Sequence, residues 1–319
     1  MKHPLDIALY NSLRGNFTKA ETILREYSAL VPEDPRPKFN LGWYELSRGN
    51  IHEGFDLLNY GRWCNAFGNP ALKAGTPLWN GETGATILFN SEGGLGDQII
   101  SIRYVKQLAE HSKVIVACDP SLMPLFSRIN GVSAVVASDG ARYMYHTHWI
   151  PAMSAPFIIG NIPDEPYIPC NLNPIKGRIG VKFFGNPEFS HEEYRQFPKK
   201  LLIDLTKKFP NNAWVNLQRE GMEIPKWFEQ PSLATWDDTI KVLEGLELVI
   251  TSCTSIAHLS GAMGIPTWVI VPILPYYIWA EPETRWYKTV KIFRQEKFSK
   301  WKAPFANITR ELQQQNLGM

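Results

Sequence analysis

Hydrophobic positions along the chain change their spacing near residue 85. Before it, apolar side chains such as Ile51, Phe55 and Leu58 recur every three to four positions, which predicts amphipathic helices. From Thr86 onward, short apolar runs alternate with stretches of helical spacing, which predicts buried strands in βαβ units and therefore parallel sheets. The predicted order is a helical segment followed by α/β structure.

The α/β region is predicted to consist of two halves. Prolines at 163, 166, 169 and 174 with little apolar periodicity indicate a linker between them. The predicted strands are 86–90, 113–119 and 134–138, then 178–184, 213–218, 247–251, 267–271 and 290–293, with helices near 198–209, 237–245, 254–264 and 309–315. The predicted domains are a helical segment 1–70, a first α/β domain 80–162, a linker 163–177, a second α/β domain 178–300 and a C-terminal helix 301–319.

The helical segment contains an internal repeat. Gly15-Asn16 recurs as Gly49-Asn50, and the small residue Ala20 recurs as Gly54, which gives a period of 34 residues. A helix–turn–helix unit of this length resembles the tetratricopeptide repeat. Two such units either bind a partner protein or serve as a helical buttress that covers the next domain, and the sequence leaves both alternatives open.

Composition and charge exclude several classes of protein. Thirty-three Lys and Arg against 31 Asp and Glu give a net charge of +2, which excludes a strongly basic nucleic-acid binder. No apolar run is long enough for a membrane span, and residues 1–6 lack the apolar core of a signal peptide. The cysteines at 64, 118, 170 and 253 are far apart, which favours a reducing compartment and predicts a cytoplasmic protein.

A glycine-rich loop follows the first predicted strand. Gly93, Gly94 and Gly96 allow tight turns and let a ligand approach the backbone, while N–H groups at a helix start attract anions. Asp97 lies at the predicted start of the helix. It is either a capping residue that stabilises the helix or a general base that faces a cleft.

Hydroxyl and basic side chains follow strands of the second half. Ser252, Thr254 and Ser255 lie between a predicted strand and a helix, where a pyrophosphate is commonly held, and His258 is one turn into that helix. The alternative is that these residues are only caps and a structural histidine. Three more residues, Lys182, Asn186 and Arg195, are either a diphosphate clamp or ordinary surface groups.

Residues 286–302 interleave six cations with five aromatic residues. This mixture is typical of a surface that binds a nucleic-acid backbone and stacks bases, or of a solvated basic face with aromatic packing beneath it.

Three segments carry a family resemblance: Glu92–Asp97, Gly185–Pro187 and Thr254–Trp268. In these segments the sequence resembles tetratricopeptide-containing glycosyltransferases related to ADP-heptose–lipopolysaccharide heptosyltransferases. The resemblance implies a GT-B fold, in which two Rossmann-like α/β domains face each other across a cleft. It also implies transfer with inversion, without a metal or other cofactor, from a donor held mainly by the C-terminal domain.

The resemblance assigns roles to individual residues. Asp97 corresponds to the family's proposed base, His258 to its donor-binding loop and Gln218 to a position near the nucleobase. Cys253 departs from the pattern, because the family has an aspartate at this position. The predicted substrate-binding residues are Glu92, Gly93, Gly94, Gly96, Lys182, Asn186, Arg195, Gln218, Ser252, Cys253, Thr254, Ser255 and His258.

The sequence therefore predicts an inverting glycosyltransferase that uses a nucleotide-diphosphate sugar. The predicted acceptor is a hydroxyl of a glycan or lipopolysaccharide, of a protein, or of a modified DNA base. Two alternatives stay open: a non-catalytic repeat scaffold with a degenerate α/β region, and a nucleotide-sugar epimerase of the same fold.

Overall fold

A computed structural model describes residues 3–67, 75–189, 192–219 and 223–315. The predicted end of the helical segment at residue 70 lies outside these ranges, as do the last four residues of the predicted 301–319 segment. The chain divides into two compact units. The first contains the residues up to Ser12 together with Asn16–Pro163, and the second contains Leu13–Gly15 together with the chain from Asp164 onward.

The first unit begins with two antiparallel helix pairs at the predicted repeat. The small residue predicted at the helix contact is required at Gly54, because a Cβ there would lie 2.6 Å from Cγ of Leu46. A left-handed glycine, Gly49, makes the turn before the last helix with a φ of +81°. The helices are α1 (Pro4–Ser12), α2 (Phe17–Leu30), α3 (Pro35–Ser47) and α4 (Ile51–Leu58), followed by a 3₁₀ helix, Asn59–Arg62.

A four-stranded parallel sheet follows in the first unit. Its strands are β1 (Thr86–Asn90), β2 (Lys113–Cys118), β3 (Val132–Ala137) and β4 (His148–Pro151), in the order β3-β2-β1-β4. Its helices are α5 (Leu95–Ser101), α6 (Val105–Leu108), α7 (Met123–Phe126) and α8 (Ala155–Ile159), with 3₁₀ helices at Ile102–Tyr104, Pro120–Leu122, Ser138–Tyr143 and Ala152–Ser154. The sequence did not predict β4, because four residues that include His and Pro give no strand pattern.

The second unit contains a five-stranded parallel sheet. Its strands are β5 (Ile175–Lys182), β6 (Ala213–Asn216), β7 (Leu246–Ser252), β8 (Thr267–Val271) and β9 (Val290–Arg294), in the order β6-β5-β7-β8-β9. Its helices are α9 (Glu192–Arg195), α10 (Lys199–Lys208), α11 (Trp236–Glu244), α12 (Ser255–Ala262) and α13 (Lys302–Gln314), with a 3₁₀ helix at Tyr277–Trp279. The prediction of two α/β halves with parallel sheets is confirmed.

Each sheet reverses its strand order once. In the first unit the reversal lies between β1 and β4, and in the second it lies between β5 and β7. Ligands of open α/β sheets bind outside the carboxyl ends of the strands at such reversals. The predicted glycine-rich loop follows β1 and the predicted hydroxyl-rich loop follows β7, so both lie at a reversal.

The proline-rich segment predicted as a linker is attached to the second unit. The N–H groups of Tyr167 and Ile168 both donate to the carbonyl of Ala262, at 2.9 and 3.1 Å. Further along, Asn173 N–H donates to the carbonyl of Glu244 at 2.9 Å. The segment is therefore fixed to the ends of α11 and α12 by main-chain hydrogen bonds. Composition alone predicted a linker and gave no sign of these contacts.

The described helices include none that is both long and apolar enough to cross a membrane.

Candidate functional site

The glycine-rich loop connects β1 to α5 and holds Asp97 by its geometry. Gly94 is the N-cap of α5, and its N–H donates to Oδ2 of Asp97 at 2.8 Å. Gly93 adopts a φ of +73°, and a Cβ there would lie 2.6 Å from the same oxygen. The main chain of the loop thus packs directly against the half-buried Asp97 carboxylate. Only glycine at position 93 allows this close approach.

Glu92 lies beside this loop in a buried ion pair. Arg62 donates to it twice, from Nε to Oε1 at 2.6 Å and from Nη2 to Oε2 at 2.8 Å. The N–H of Met153, just after β4, also donates to Oε2 at 2.9 Å. Glu92 therefore joins the 3₁₀ helix Asn59–Arg62 to both loops at the strand reversal of the first sheet.

A second set of contacts joins the same parts of the first unit. Asn59 Oδ1 accepts hydrogen bonds from Arg62 Nη1 and Ser154 Oγ, each at 2.8 Å. The rings of His52 in α4 and Phe157 in α8 lie 4.2 Å apart. These contacts favour the buttress interpretation of the helical segment. Sequence reasoning did not single out Arg62, because a lone arginine thirty positions before Glu92 carries no local signal.

The hydroxyl-rich loop connects β7 to α12. Thr254 is the N-cap of α12, yet its side chain makes no cap hydrogen bond; its Oγ1 lies 3.3 Å from Oγ1 of Thr251. Ser252 is 0% exposed, and within the described ranges its hydroxyl has no hydrogen-bond partner. A buried hydroxyl without a partner costs about 1–3 kcal/mol, which marks this loop as a place where a ligand would supply the missing bond.

His258 lies one turn into α12 within an aromatic cluster. Its ring is 4% exposed and stacks on Trp279, with centroids 5.2 Å apart and an angle of 7° between the planes. The Tyr287 hydroxyl lies 3.4 Å from Nδ1 of His258. The structure therefore fixes the orientation of this imidazole.

Cys253, the residue that departs from the family pattern, lies in the same aromatic cluster. Trp279 Nε1 donates to the Cys253 thiol at 3.0 Å. The 3₁₀ helix that carries Trp279 is held by Arg294, whose guanidinium donates to the carbonyls of Trp279, Ala280 and Glu281. Burial lowers the pKa of Arg294. Cys253 is thus a buried packing partner of the tryptophan indole, at a position where the resemblance implies a carboxylate.

Lys182 and Gln218 lie at the ends of neighbouring strands. Lys182 ends β5, is buried, and donates from Nζ to the Leu217 carbonyl at 3.4 Å; its strand partner in β7 is Thr251. The Gln218 Oε1 accepts the N–H groups that follow Lys182, those of Phe183 and Phe184, at 3.2 Å each. Lys182 therefore lies next to the end of β7, and Gln218 connects the ends of β5 and β6.

Arg195 and Asn186 lie after β5 in a separate network. Glu192 accepts from Gly185 N–H at 2.7 Å and from Arg195 Nε at 2.5 Å. The Arg195 guanidinium also covers the Phe189 ring at 4.7 Å. Asn186 is exposed, and its Oδ1 accepts the N–H of Glu188 at 3.0 Å. The prediction missed Glu192, for which the only signal was an acid three residues before Arg195.

The basic segment 286–302 buries most of its aromatic rings and exposes five of its six cations. Trp286, Tyr287, Phe293 and Trp301 are buried, so these rings are not exposed for base stacking. Of the cations, Lys288 pairs with Asp164 and Glu165, Lys291 with Glu311 at 2.7 Å, and Arg294 with the carbonyls named above. The packing interpretation fits the four buried rings, while Phe298 and five cations are exposed, so a nucleic-acid partner stays a prediction.

In the described part of the chain, no group of three or more His, Cys, Asp or Glu side chains is arranged to hold a metal ion. The prediction of a metal-free reaction is not tested by this observation.

Solved structures with a similar fold are glycosyltransferases. The iron-containing dodecameric glycosyltransferase TibC from enterotoxigenic E. coli H10407 has a TM-score of 0.51 and 14% identity, over 74% of this chain and 68% of that chain. E. coli ADP-heptose lipopolysaccharide heptosyltransferase II has a TM-score of 0.50 and 11% identity, over 72% and 98%. E. coli heptosyltransferase WaaC with ADP has a TM-score of 0.50 and 11% identity, over 72% and 99%.

These similarities establish the fold class. Two α/β units with parallel sheets, preceded by helices, are the GT-B type of architecture, as the sequence predicted. No protein-family model matches the sequence, and no curated protein matches it either. At 11–14% identity the similarity extends to the fold alone, so the activity is a separate question.

Proposed function

We propose that this protein is an inverting, metal-independent glycosyltransferase that takes a sugar from a nucleotide-diphosphate sugar. The observation that carries the proposal is the loop between β7 and α12, at the strand reversal of the second sheet. It combines a helix N-terminus, the buried unpartnered hydroxyl of Ser252 and the buried amine of Lys182 on the neighbouring strand. A diphosphate satisfies all three, because it is anionic and accepts hydrogen bonds.

The same groups support the chemistry of the leaving group. When the bond between the anomeric carbon and the diphosphate oxygen breaks, negative charge develops on the departing nucleoside diphosphate. Main-chain N–H groups of α12, the Ser252 hydroxyl and the Lys182 ammonium would stabilise that charge without a metal ion. His258, held in the first turns of α12, is the additional donor that we assign to the diphosphate.

Asp97 is the proposed general base. An acceptor hydroxyl is a poor nucleophile until its proton is removed during the attack on the anomeric carbon. The new C–O bond forms on the face opposite the departing diphosphate, so the configuration inverts, and the proton passes to the Asp97 carboxylate. The hydrogen bond from Gly94 holds this carboxylate at the carboxyl end of β1, the edge at which open α/β sheets bind their ligands.

The donor and the acceptor are proposed only by class. Cys253 in place of a carboxylate favours a sugar other than the heptose named for the similar structures. The acceptor is proposed to be a hydroxyl of a glycan or lipopolysaccharide, of a protein, or of a modified DNA base. A cytoplasmic location is part of the proposal, because all four cysteines are free thiols.

The first experiment removes the Ser252 hydroxyl. Calorimetric titration without metal would test ADP, UDP, GDP, CDP and dTDP, and then their sugars, against wild type and Ser252→Ala. We expect one nucleotide class to bind saturably and the variant to bind about ten- to a hundredfold more weakly, the scale of one hydrogen bond to a charged group. The thermal midpoint of the variant should not fall, since the hydroxyl has no partner to lose.

A matched control is Ser91→Ala. Ser91 follows β1 in the first unit and also carries a buried hydroxyl without a partner in the described structure. The thermal midpoint of this variant should not fall either, and its affinity for the nucleotide should equal that of wild type. If folded protein binds no nucleotide of the panel, the scaffold alternative is favoured instead.

A further inference from the structure

Two tyrosine hydroxyls connect His258 to the proline-rich segment. The Tyr287 hydroxyl lies 3.4 Å from His258 Nδ1, and it also lies 3.4 Å from the hydroxyl of Tyr167. Tyr287 is buried and precedes β9, while Tyr167 is partly buried in the segment attached to α12. The three side chains thus form one hydrogen-bonded row inside the second unit.

The fold makes room for this row. A Cβ at Gly261 would lie 2.8 Å from the Tyr287 ring, so the glycine allows the phenol to approach α12 one turn beyond His258. The main chain of Tyr167 is fixed as well, because its N–H donates to the carbonyl of Ala262, the last residue of α12. Both tyrosines are therefore held by the same helix that carries the histidine.

The hydrogen-bonded row acts on the tautomer of His258, which ring packing does not control. Stacking on Trp279 fixes the plane of the imidazole, but both neutral tautomers fit a stacked plane equally well. Only a hydrogen bond to one nitrogen selects the tautomer. Phosphate oxygens accept hydrogen bonds, so a neutral histidine binds them only through a protonated nitrogen.

We propose that Tyr287, supported by Tyr167, is a positioning residue that holds His258 in its Nε2–H tautomer. The Tyr167 hydroxyl donates to the Tyr287 oxygen, and the Tyr287 hydroxyl donates to Nδ1 of His258. Nε2 is then the protonated nitrogen and donates to the diphosphate. This inference rests on the proposed function, which makes the loop before α12 a diphosphate site.

The tautomer is measured without any ligand. In ¹⁵N-histidine-labelled full-length protein, long-range ¹H–¹⁵N correlation spectra distinguish protonated from acceptor nitrogens, and the His258→Ala variant identifies the signal among the seven histidines. We expect a single Nε2–H form of His258 in wild type and a mixture of both tautomers in Tyr287→Phe. A wild-type histidine protonated at Nδ1 would overturn the proposal.

Binding provides the second measurement. The nucleoside diphosphate of the ADP, UDP, GDP, CDP and dTDP panel that binds wild type most tightly is titrated into Tyr287→Phe, Tyr167→Phe and His258→Ala. We expect affinity to fall about three- to tenfold for Tyr287→Phe, less for Tyr167→Phe, and at least as much for His258→Ala.

A matched control removes a phenol hydroxyl elsewhere. Tyr44 in the helical segment bonds Ser12 Oγ at 2.6 Å, so Tyr44→Phe loses a comparable bond and should keep the affinity and the His258 spectrum of wild type. If His258→Ala weakens binding and Tyr287→Phe does not, the positioning role is refuted and the diphosphate site stands. If His258→Ala has no effect, His258 has no part in the diphosphate site, whatever its tautomer.

Discussion

Asp97 accepts a capping hydrogen bond and is also the proposed base. One substitution can remove the second role and keep the first. Asparagine keeps an oxygen that accepts the Gly94 N–H but removes the base. We therefore expect Asp97→Asn to lower the transfer rate at least about a hundredfold, with little change in the thermal midpoint. The measurements are initial rates at saturating donor and a thermal melt of each variant.

The chain provides a control for the cap itself. Asp238 occupies the third position of α11 and accepts from the N–H of Thr235 at 3.0 Å, as Asp97 does from Gly94. Asp238→Ala should lower the thermal midpoint and leave the rate unchanged. An Asp97→Asn enzyme as active as wild type would show that Asp97 is a cap and not the base.

Glu92 is the residue whose role the structure changes most. The resemblance placed it among the substrate ligands, and that role stays untested, but three protein donors already bond its carboxylate. Glu92→Gln leaves the partly buried Arg62 guanidinium with a weaker acceptor, so we expect a loss of about 3 kcal/mol in the free energy of unfolding by urea. As a control, Asp204→Asn breaks the exposed pair with Lys200 and should change the free energy of unfolding far less, because solvent screens that pair.

Residues of this kind show the limit of sequence reasoning at the residue scale. The glycine-rich loop and the hydroxyl-rich loop were predicted because their signals are local, in adjacent residues between a strand and a helix. The partners of Glu92, Cys253 and His258 lie 26 to 61 positions away in sequence. Only the fold brings such partners together, so their roles could not be predicted from spacing.

At the scale of elements, the start of α3 makes stability depend on pH. Asp34 caps this helix and accepts hydrogen bonds from the Arg36 side chain, which is the main reason that the pKa of its carboxyl falls to about 2. The folded pKa lies below the ordinary value of 3.8, so this stabilisation is full above about pH 4 and is lost as the pH falls through about 2.

The corresponding experiment is urea unfolding between pH 2 and pH 5. The stability of wild type should fall more steeply with decreasing pH than that of Asp34→Asn, which has no carboxyl to protonate at this cap. Parallel curves for the two proteins would contradict the assigned role of the carboxylate. Comparison of the two proteins removes the contribution of Glu21, whose pKa is also lowered by arginine hydrogen bonds.

Elements with a strong pattern were predicted better than those that depend on their surroundings. All eight predicted strands are present, because parallel strands buried on both faces read as continuous apolar runs. Helix α13 begins at Lys302, at the start of the predicted C-terminal segment 301–319 but before the helical pattern near 309, since Pro304 obscured a first turn in which proline is tolerated. The proline-rich segment was expected to be free because composition says nothing about the carbonyls at the ends of α11 and α12 that bind it.

For the whole molecule, the two units have different proposed tasks, with nucleotide binding in the second. In hydrogen exchange, the matching nucleoside diphosphate should slow exchange in peptides covering 182–186 and 251–262, because ligand contacts suppress local opening. Peptides covering 91–97 should exchange unchanged. Protection that appears at 91–97 and not at 251–262 would reverse the assignment of the two units.

The pairing of Glu92 with Arg62 and Met153 has a consequence for protein synthesis. The four helices contact one another between sequence neighbours and precede the first sheet along the chain, so their mutual packing forms before that sheet is made. Arg62 reaches Glu92 early, but the contacts of Met153 with Glu92 and of Ser154 with Asn59 need residues that are made 61 and 95 positions after their partners. At translation rates of ~5–20 residues per second, the helical segment of the nascent chain stays incompletely attached for roughly five to twenty seconds, a period in which chaperones have access to its uncovered face.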